Sequence, residues 1–288
     1  MRKVTSLDEY YALVKAAKRE RLATVSNCFL FPSAIQRYID LDRLYVEDSN
    51  AGIFILSDED KFYYAYFYLN PDKEIHFEPR EKPVVIQSVY NDGHKSAGLV
   101  GVEQRLTECG FVLADRMKQI KADPEKVLRK INPVCRHAKK LLDTEGFQFV
   151  RMREDLLPEV KKLLDRTPEI PYYQVPYFSA EELREQIDSG LFVGILTNDG
   201  RLCAAHQSFL EGKTIYGWLA VSPEYKELYG MGLICTQYEM EYAIEHGYGV
   251  SGWITETNVK SIQYHERIAF QTYDRCLDEW VLPQKIKA

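Results

Sequence analysis

No apolar run in this chain of 288 residues approaches the roughly 20 needed to cross a bilayer. The opening stretch, MRKVTSLDEYYALVKAAKRERL, is too charged for a secretory leader. The expectation is a cytoplasmic protein with no membrane partner. Cysteine is sparse. Cys28, Cys109, Cys135, Cys203, Cys235 and Cys276 are scattered, with no CxxC pair, which argues against a zinc site and a disulfide framework and leaves reduced thiols and no metal. Positive charge is not in excess either. A formal net charge of -6 gives no general attraction to nucleic acid, and none is expected as a partner. What remains is the profile of a folded protein, 45% hydrophobic and 28% charged, with length for two domains.

The first half is expected to hold a helix over 6–20, with Asp8 and Glu9 in its first turn, and a second from Pro32 to Ile39. AGIFILS (51–57) and KFYYAYFYL (61–69) are apolar, β-branched and aromatic runs around DED, which predicts a hairpin. A strand over 82–90, a helix over 96–108 and a strand over 112–121 follow. Asp123-Pro124 opens a basic helix over 125–143, expected to connect two domains through a solvated charged face. The second half starts again. A strand over 147–152 leads into the helix of EDLLPEVKKLLDRT, the aromatic loop PEIPYYQVPYF, and a helix opened by the capping box of Ser179 and Glu182. Asn198-Asp199-Gly200 turns a hairpin, and a third strand runs over 213–221. A helix over 233–246, a strand over 248–256, a helix over 258–268 and a strand over 270–282 complete it. The order is β-α-α-β-β-β-α-β-α-β, an α+β pattern with a mixed, mostly antiparallel sheet flanked by helices. The expected domains are 1–122, a helical connector over 123–146, and 147–288.

One stretch carries chemistry. A buried strand ends at Val221-Ser222-Pro223, and a loop with Gly230-Met231-Gly232 opens a helix. Such a loop aims main-chain N–H groups at the positive end of a helix dipole, a ready site for a pyrophosphate. After the next strand stands Asn258, then a helix closing in Ile268-Ala269-Phe270. These elements resemble the GNAT superfamily of acyl-CoA-dependent N-acyltransferases, whose signature is V-x-P, Q/R-x-x-G-x-G/A, an Asn, and a helix that carries a Tyr and closes in G-F. The resemblance covers roughly Phe147 to Leu282. It implies that acetyl-CoA is a co-substrate held by Leu219, Ala220 and Val221 on the fourth strand, by the loop residues Lys226, Glu227, Leu228, Tyr229, Gly230, Met231 and Gly232, and by Asn258 and Ser261. It further implies a general acid for the leaving thiolate.

Three positions depart from that signature. Glu227 stands where the family has Gln or Arg, with Lys226 one place earlier. His265 stands at the place of the Tyr, seven residues after Asn258, with Tyr264 beside it. Ala269 replaces the closing glycine. His265 is the expected acid, because seven residues is close to two helical turns and returns it to the face of Asn258; Tyr264 points about 100° away. Glu256, at the end of a strand, is a candidate to deprotonate the amine, and His206, in a hairpin strand, is expected to be packed. Tyr172, Tyr173, Tyr177 and Phe178 are expected to line the side of a small-molecule or peptide amine. The first half echoes the last third of the same fold in PVVIQSVYND and in the Gly110-Phe111 closure. It lacks the glycine loop and long helix between Leu69 and Pro83, and is expected to be a noncatalytic GNAT-like or other α/β domain. The expected function is N-acetyl transfer from acetyl-CoA to an amine; the alternative is a catalytically inactive GNAT-fold binding or regulatory protein.

Overall fold

The computed structural model describes residues 1–20, 22, 25–91, 93–165, 180–225 and 230–285. The chain divides into two compact units. Unit 1 is Met1–Lys118 together with the stretch from Asp274, and unit 2 is Gln119–Tyr273.

Unit 1 holds β1 (Arg2–Lys3), α1 (Leu7–Glu20), β2 (Val25–Ser26), α2 (Pro32–Asp40), β3 (Leu44–Ser49), β4 (Gly52–Asp58), β5 (Tyr63–Leu69), β6 (Val84–Asn91), α3 (Ala97–Glu108) and the start of β7 (Val112–Ala122). Its sheet runs β1-β3-β4-β5-β6, and the later residues of β13 (Phe270–Leu282) lie antiparallel to β6, from Arg275 opposite Asn91 to Leu282 opposite Val84. Helices cover both faces, which explains why GIFILS reads as one apolar run. Phe54 and Leu56 pack in one cluster with Phe67 and Phe111, while Ile53 and Ile55 pack in another with Tyr10 and Ile35. The expected hairpin of β4 and β5 is present. Strand β3, LYVEDS, was not expected, because its apolar residues are confined to Leu44–Val46 and two acids follow, which leaves no clear alternation. Between β5 and β6 there is no helix or strand.

Unit 2 holds α4 (Pro124–Glu145), β8 (Gln148–Arg151), α5 (Leu157–Asp165), α6 (Ala180–Ser189), β9 (Phe192–Leu196), β10 (Leu202–Glu211), β11 (Thr214–Val221), α7 (Met231–His246), β12 (Gly249–Thr255), α8 (Val259–Arg267) and the first residues of β13. Its sheet runs β12-β11-β10-β9-β8. All these pairs are antiparallel except β11 with β12. The α+β architecture and the element order match the expectation. Among the described residues the order β-α-α-β-β-β-β-α-β is common to both units; unit 1 adds β2 between its first two helices, and unit 2 adds α4 before its first strand and α7 between β11 and β12.

The units divide differently from the expected domains. Helix α4 is an integral part of unit 2, not a free connector: it buries Val127, Ile131, Cys135, Ala138 and Leu142, a stripe recurring every three to four residues. Its basic residues occupy the other face. β13 starts in unit 2 and ends in unit 1, so the final strand does not belong wholly to the second half.

Candidate functional site

The informative geometry in unit 2 is where β11 and β12 separate. These parallel neighbours pair at Thr214 with Gly249, Ile215 with Val250 and Tyr216 with Ser251, and no further. Both strands continue, β11 to Val221 and β12 to Thr255. A gap therefore opens beyond Tyr216, and Gly217 is exposed in an internal strand. At about 3.3 Å per residue, Gly217–Val221 offers roughly 16 Å of main chain along that gap.

The end of β11 leads to α7. Gly230 is the N-cap in the left-handed conformation, with φ 99° and no side-chain cap. Among the described residues no side chain caps this end, and the amides of Met231, Gly232 and Leu233 form the first turn at the positive end of a 16-residue helix. Both loop glycines also answer to packing. A Cβ on Gly230 would lie 2.7 Å from Cβ of Ala138 on α4, and one on Gly232 would lie 2.8 Å from Cδ2 of Leu219. Leu219 and Val221 face α7, while Ala220 packs on the opposite side with Leu163 and Phe192. Lys226, Glu227, Leu228 and Tyr229 lie outside the described residues, as do Tyr172, Tyr173, Tyr177 and Phe178.

At the narrow end of the gap, three polar side chains converge on Gly217. A Cβ there would sit 2.6 Å from Oγ of Ser208, 2.9 Å from Nε2 of His206 and 3.0 Å from Oε1 of Glu239. Ser208 donates to Glu239 at 2.8 Å, and His206 Nε2 lies 3.5 Å from the same carboxylate oxygen. All three are buried, and Nδ1 of His206 has no described partner. Glu239 was not singled out from the sequence. Its signal is a carboxylate on the buried stripe of α7, four residues from both Cys235 and Ala243.

Helix α8 presents the neighbouring pair. His265 Nδ1 is 2.8 Å from the main-chain oxygen of Ser261. A carbonyl only accepts, so Nδ1 carries the proton and, in the neutral ring, Nε2 carries the lone pair. Burial pushes the His265 pKa below its ordinary value; the Ser261 carbonyl opposes this and nearby His206 adds to it. The resting ring is thus an acceptor, and donation requires it first to gain a proton. Tyr264 turns into the core of unit 2, near Cys135, Cys235 and Thr236, and burial raises its hydroxyl far above the ordinary value. Asn258 is the N-cap of α8, its Oδ1 accepting from Ser261 N at 3.1 Å, which fixes the amide's orientation. Ala269 takes the left-handed conformation, with φ 73°, that a glycine would adopt freely. Glu256 is in the turn after β12, at the wide end of the gap. The described residues contain no cluster fit to hold a metal ion and no helix long and apolar enough to cross a membrane.

No protein-family model matches the chain, and no curated protein matches it. Solved structures do. A GCN5-related N-acetyltransferase from Sphaerobacter thermophilus is 11% identical over 96% of this chain and 93% of its own, with a TM-score of 0.51. A GCN5-related N-acetyltransferase-like protein from Streptococcus suis is 11% identical over 93% of this chain and 99% of its own, with a TM-score of 0.50. A Drosophila protein is 17% identical over 81% of this chain and 75% of its own, also at 0.50. At such identities the likeness is one of fold. The chain has the fold of the GCN5-related N-acetyltransferases, the GNAT fold expected from Val221-Ser222-Pro223, Gly230-Met231-Gly232 and Asn258.

Proposed function

We propose that unit 2 is an acyl-CoA-dependent N-acyltransferase that moves an acetyl group from acetyl-CoA to an amine. The observation that carries this reading is the gap between β11 and β12, closed at Gly217 and ending at the uncapped first turn of α7. A coenzyme A arm is an extended chain with two amides, which suits main-chain pairing along Gly217–Val221. Its pyrophosphate suits the amides of Met231, Gly232 and Leu233. An arm laid from α7 toward Gly217 brings the thioester to the narrow end, into the neighbourhood of His206 and His265.

There the chain's own residues handle the proton. As the amine nitrogen bonds to the thioester carbon, His265 Nε2 accepts the proton that the amine loses. When the carbon–sulfur bond breaks, the imidazolium returns that proton to the leaving thiolate, so one group serves as base and then acid. The depressed pKa keeps the ring in its neutral, proton-accepting form at the start of the cycle, at the expense of base strength, and makes the imidazolium a stronger acid for the second half. Glu256, at the wide end, is better placed to receive a cationic amine than to touch the thioester. Holding both reactants in one cleft supplies much of the rate.

The experiment is release of free coenzyme A from acetyl-CoA against a panel of small amines and peptide amines, with the full chain. Release above the buffer rate with at least one amine, lost in His265→Ala, supports transfer. Tight acetyl-CoA binding with no release for any amine would favour the regulatory reading instead.

A further inference from the structure

Unit 1 contains a second gap of the same construction. Parallel strands β5 and β6 pair at Tyr63 with Val84 and Tyr64 with Val85, and no further, although β5 runs to Leu69 and β6 to Asn91. In unit 2 the gap leaves Gly217 exposed. In unit 1, Ala65 and Phe67, the first residues beyond the pairing on the same edge of β5, are 1% and 0% exposed. Their side chains lie in the core of unit 1, and their main-chain groups toward β6 are engaged as well.

What engages them is the segment between α1 and α2. β2 lies antiparallel to β5, with Val25 opposite Leu69 and Ser26 opposite Tyr68. The next residue, Asn27, is 4% exposed, and its amide spans the gap. Its Nδ2 donates to the main-chain oxygen of Ala65 on β5 at 3.3 Å and of Gln87 on β6 at 2.9 Å. Its Oδ1 accepts from the main-chain N–H of Phe67 at 2.6 Å. Only an amide offers a donor with two hydrogens and an acceptor on one small planar group. The side chain thus does for β5 and β6 what an adjoining peptide strand would do. Neighbouring residues make room and hold the segment. Gly98 of α3 has no Cβ where one would come within 2.7 Å of Cγ2 of Val25. The Tyr10 hydroxyl contacts Cys28 Sγ at 3.4 Å and the Tyr68 hydroxyl at 3.1 Å.

We infer that the gap of unit 1 is a strand-receiving site for an extended, amide-bearing chain, and that its occupant is this protein's own Val25–Asn27. The site is liganded in cis. Among the described residues the open gap of this kind is therefore that of unit 2, and unit 1 takes no coenzyme arm of its own. The absence of a glycine loop and helix between β5 and β6 agrees with this, since there is no anion site at the wide end.

Amide hydrogen exchange on the full chain tests the inference without any ligand. The Phe67 amide is expected to exchange slowly in the native protein, and at least about tenfold faster in Asn27→Ala, because the Oδ1 that accepts its hydrogen is removed. Amides of β11 should be unchanged. Unchanged exchange of the amides of β4 in Asn27→Ala, which belong to the same unit but do not meet Asn27, controls for a general loss of folding. Free exchange at Phe67 in the native protein, or no difference between it and Asn27→Ala, would overturn the proposal. In a second arm, coenzyme A is added at saturating concentration. Unchanged exchange across Tyr63–Leu69 supports the proposal, and new protection there overturns it. Failure of unit 2 to bind coenzyme A leaves the first arm intact, so the two readings fail separately.

Discussion

His265 Nδ1 stands 2.8 Å from the main-chain oxygen of Ser261, one turn earlier on α8. That contact decides which nitrogen is available for chemistry. With Nδ1 engaged as a donor, Nε2 is the working atom, and burial keeps the ring neutral.

The consequence for pH is specific. The folded pKa is depressed below the ordinary value of about 6.5, so the base form is fully present near neutrality. Turnover should fall on the acid side as the pH passes through the depressed value. Stability follows the same sign: the neutral ring's contribution is complete above about pH 6.5 and is lost as pH falls through the folded value. Nitrogen NMR of the histidines should find Nε2 of His265 unprotonated at pH 7. A ring titrating above the ordinary value, or the opposite tautomer, would refute this.

Side-chain replacement should separate the two neighbours on α8. His265→Ala is expected to lower turnover roughly 10²-fold or more, the usual size for losing an acid–base group, with little change in acetyl-CoA affinity. Tyr264→Phe should leave turnover much closer to native, because the ring packs in the core and only its hydroxyl is lost. The reverse pattern would assign the proton transfer to Tyr264.

Gly217 is held open by its neighbours. Gly217→Ala would place a methyl against Ser208, His206 and Glu239 at the distances of hard contact. Overpacking of this kind costs about 1–3 kcal/mol, measurable by denaturant unfolding. Ser208→Ala in the same chain removes the nearest atom and should recover part of the loss. Equal stability of Gly217→Ala and the native protein would show that the three side chains do not crowd this point.

In unit 1 the end of the chain is held by a buried carboxylate. Asp278 is fully buried and accepts from Arg116 Nε and Nη2, Lys95 Nζ and the Tyr90 hydroxyl. Burial pushes its pKa up, but the Arg116, Lys95 and Tyr90 bonds win and hold it below the usual carboxylate value. Asp278→Ala removes the buried acceptor shared by Arg116, Lys95 and Tyr90; Lys95 retains Glu103 and Arg116 is partly exposed, so the cost should fall toward or below the low end of about 3–5 kcal/mol for breaking a buried pair. Because the folded pKa is depressed, the carboxylate's contribution is complete above its unfolded value, near pH 3.9, and is lost as pH falls through the folded one. Acid unfolding of the native protein and of Asp278→Asn checks this; the same acid midpoint in both would contradict it.

Much of the fold was legible because its signals are local. Asn198-Asp199-Gly200 turns β9 into β10, Asp123-Pro124 opens α4, the amphipathic pattern marks α1, and Gly110 and Gly247 mark the ends of α3 and α7. β3 was not legible, since LYVEDS alternates too weakly to compete with its charges. The site divided in the same way. Gly230, Gly232, Asn258 and His265 stand at fixed spacings in one stretch of sequence. Glu239, Ser208 and Asn27 do not: each matters through a partner brought near by the sheet, Glu239 31 residues from Ser208 and Asn27 60 residues from Gln87. No local pattern carries such a pairing. The roles of Asn258 and His265 were also invisible, because the cap on Ser261 and the carbonyl at Nδ1 are facts of geometry.

The central claim is that the gap beyond Tyr216 holds an acyl-CoA arm. Hydrogen exchange of the full chain with and without saturating acetyl-CoA tests it most directly. The account predicts slowed exchange along Gly217–Val221 and at Met231–Leu233, and none along β5. Gly232→Glu, which puts a carboxylate where the pyrophosphate would approach, should abolish that protection; circular dichroism serves as the control, because the new side chain also meets Leu219. Protection absent from β11 and the first turn of α7 in the native protein, or unaffected by Gly232→Glu in a folded variant, would contradict the claim.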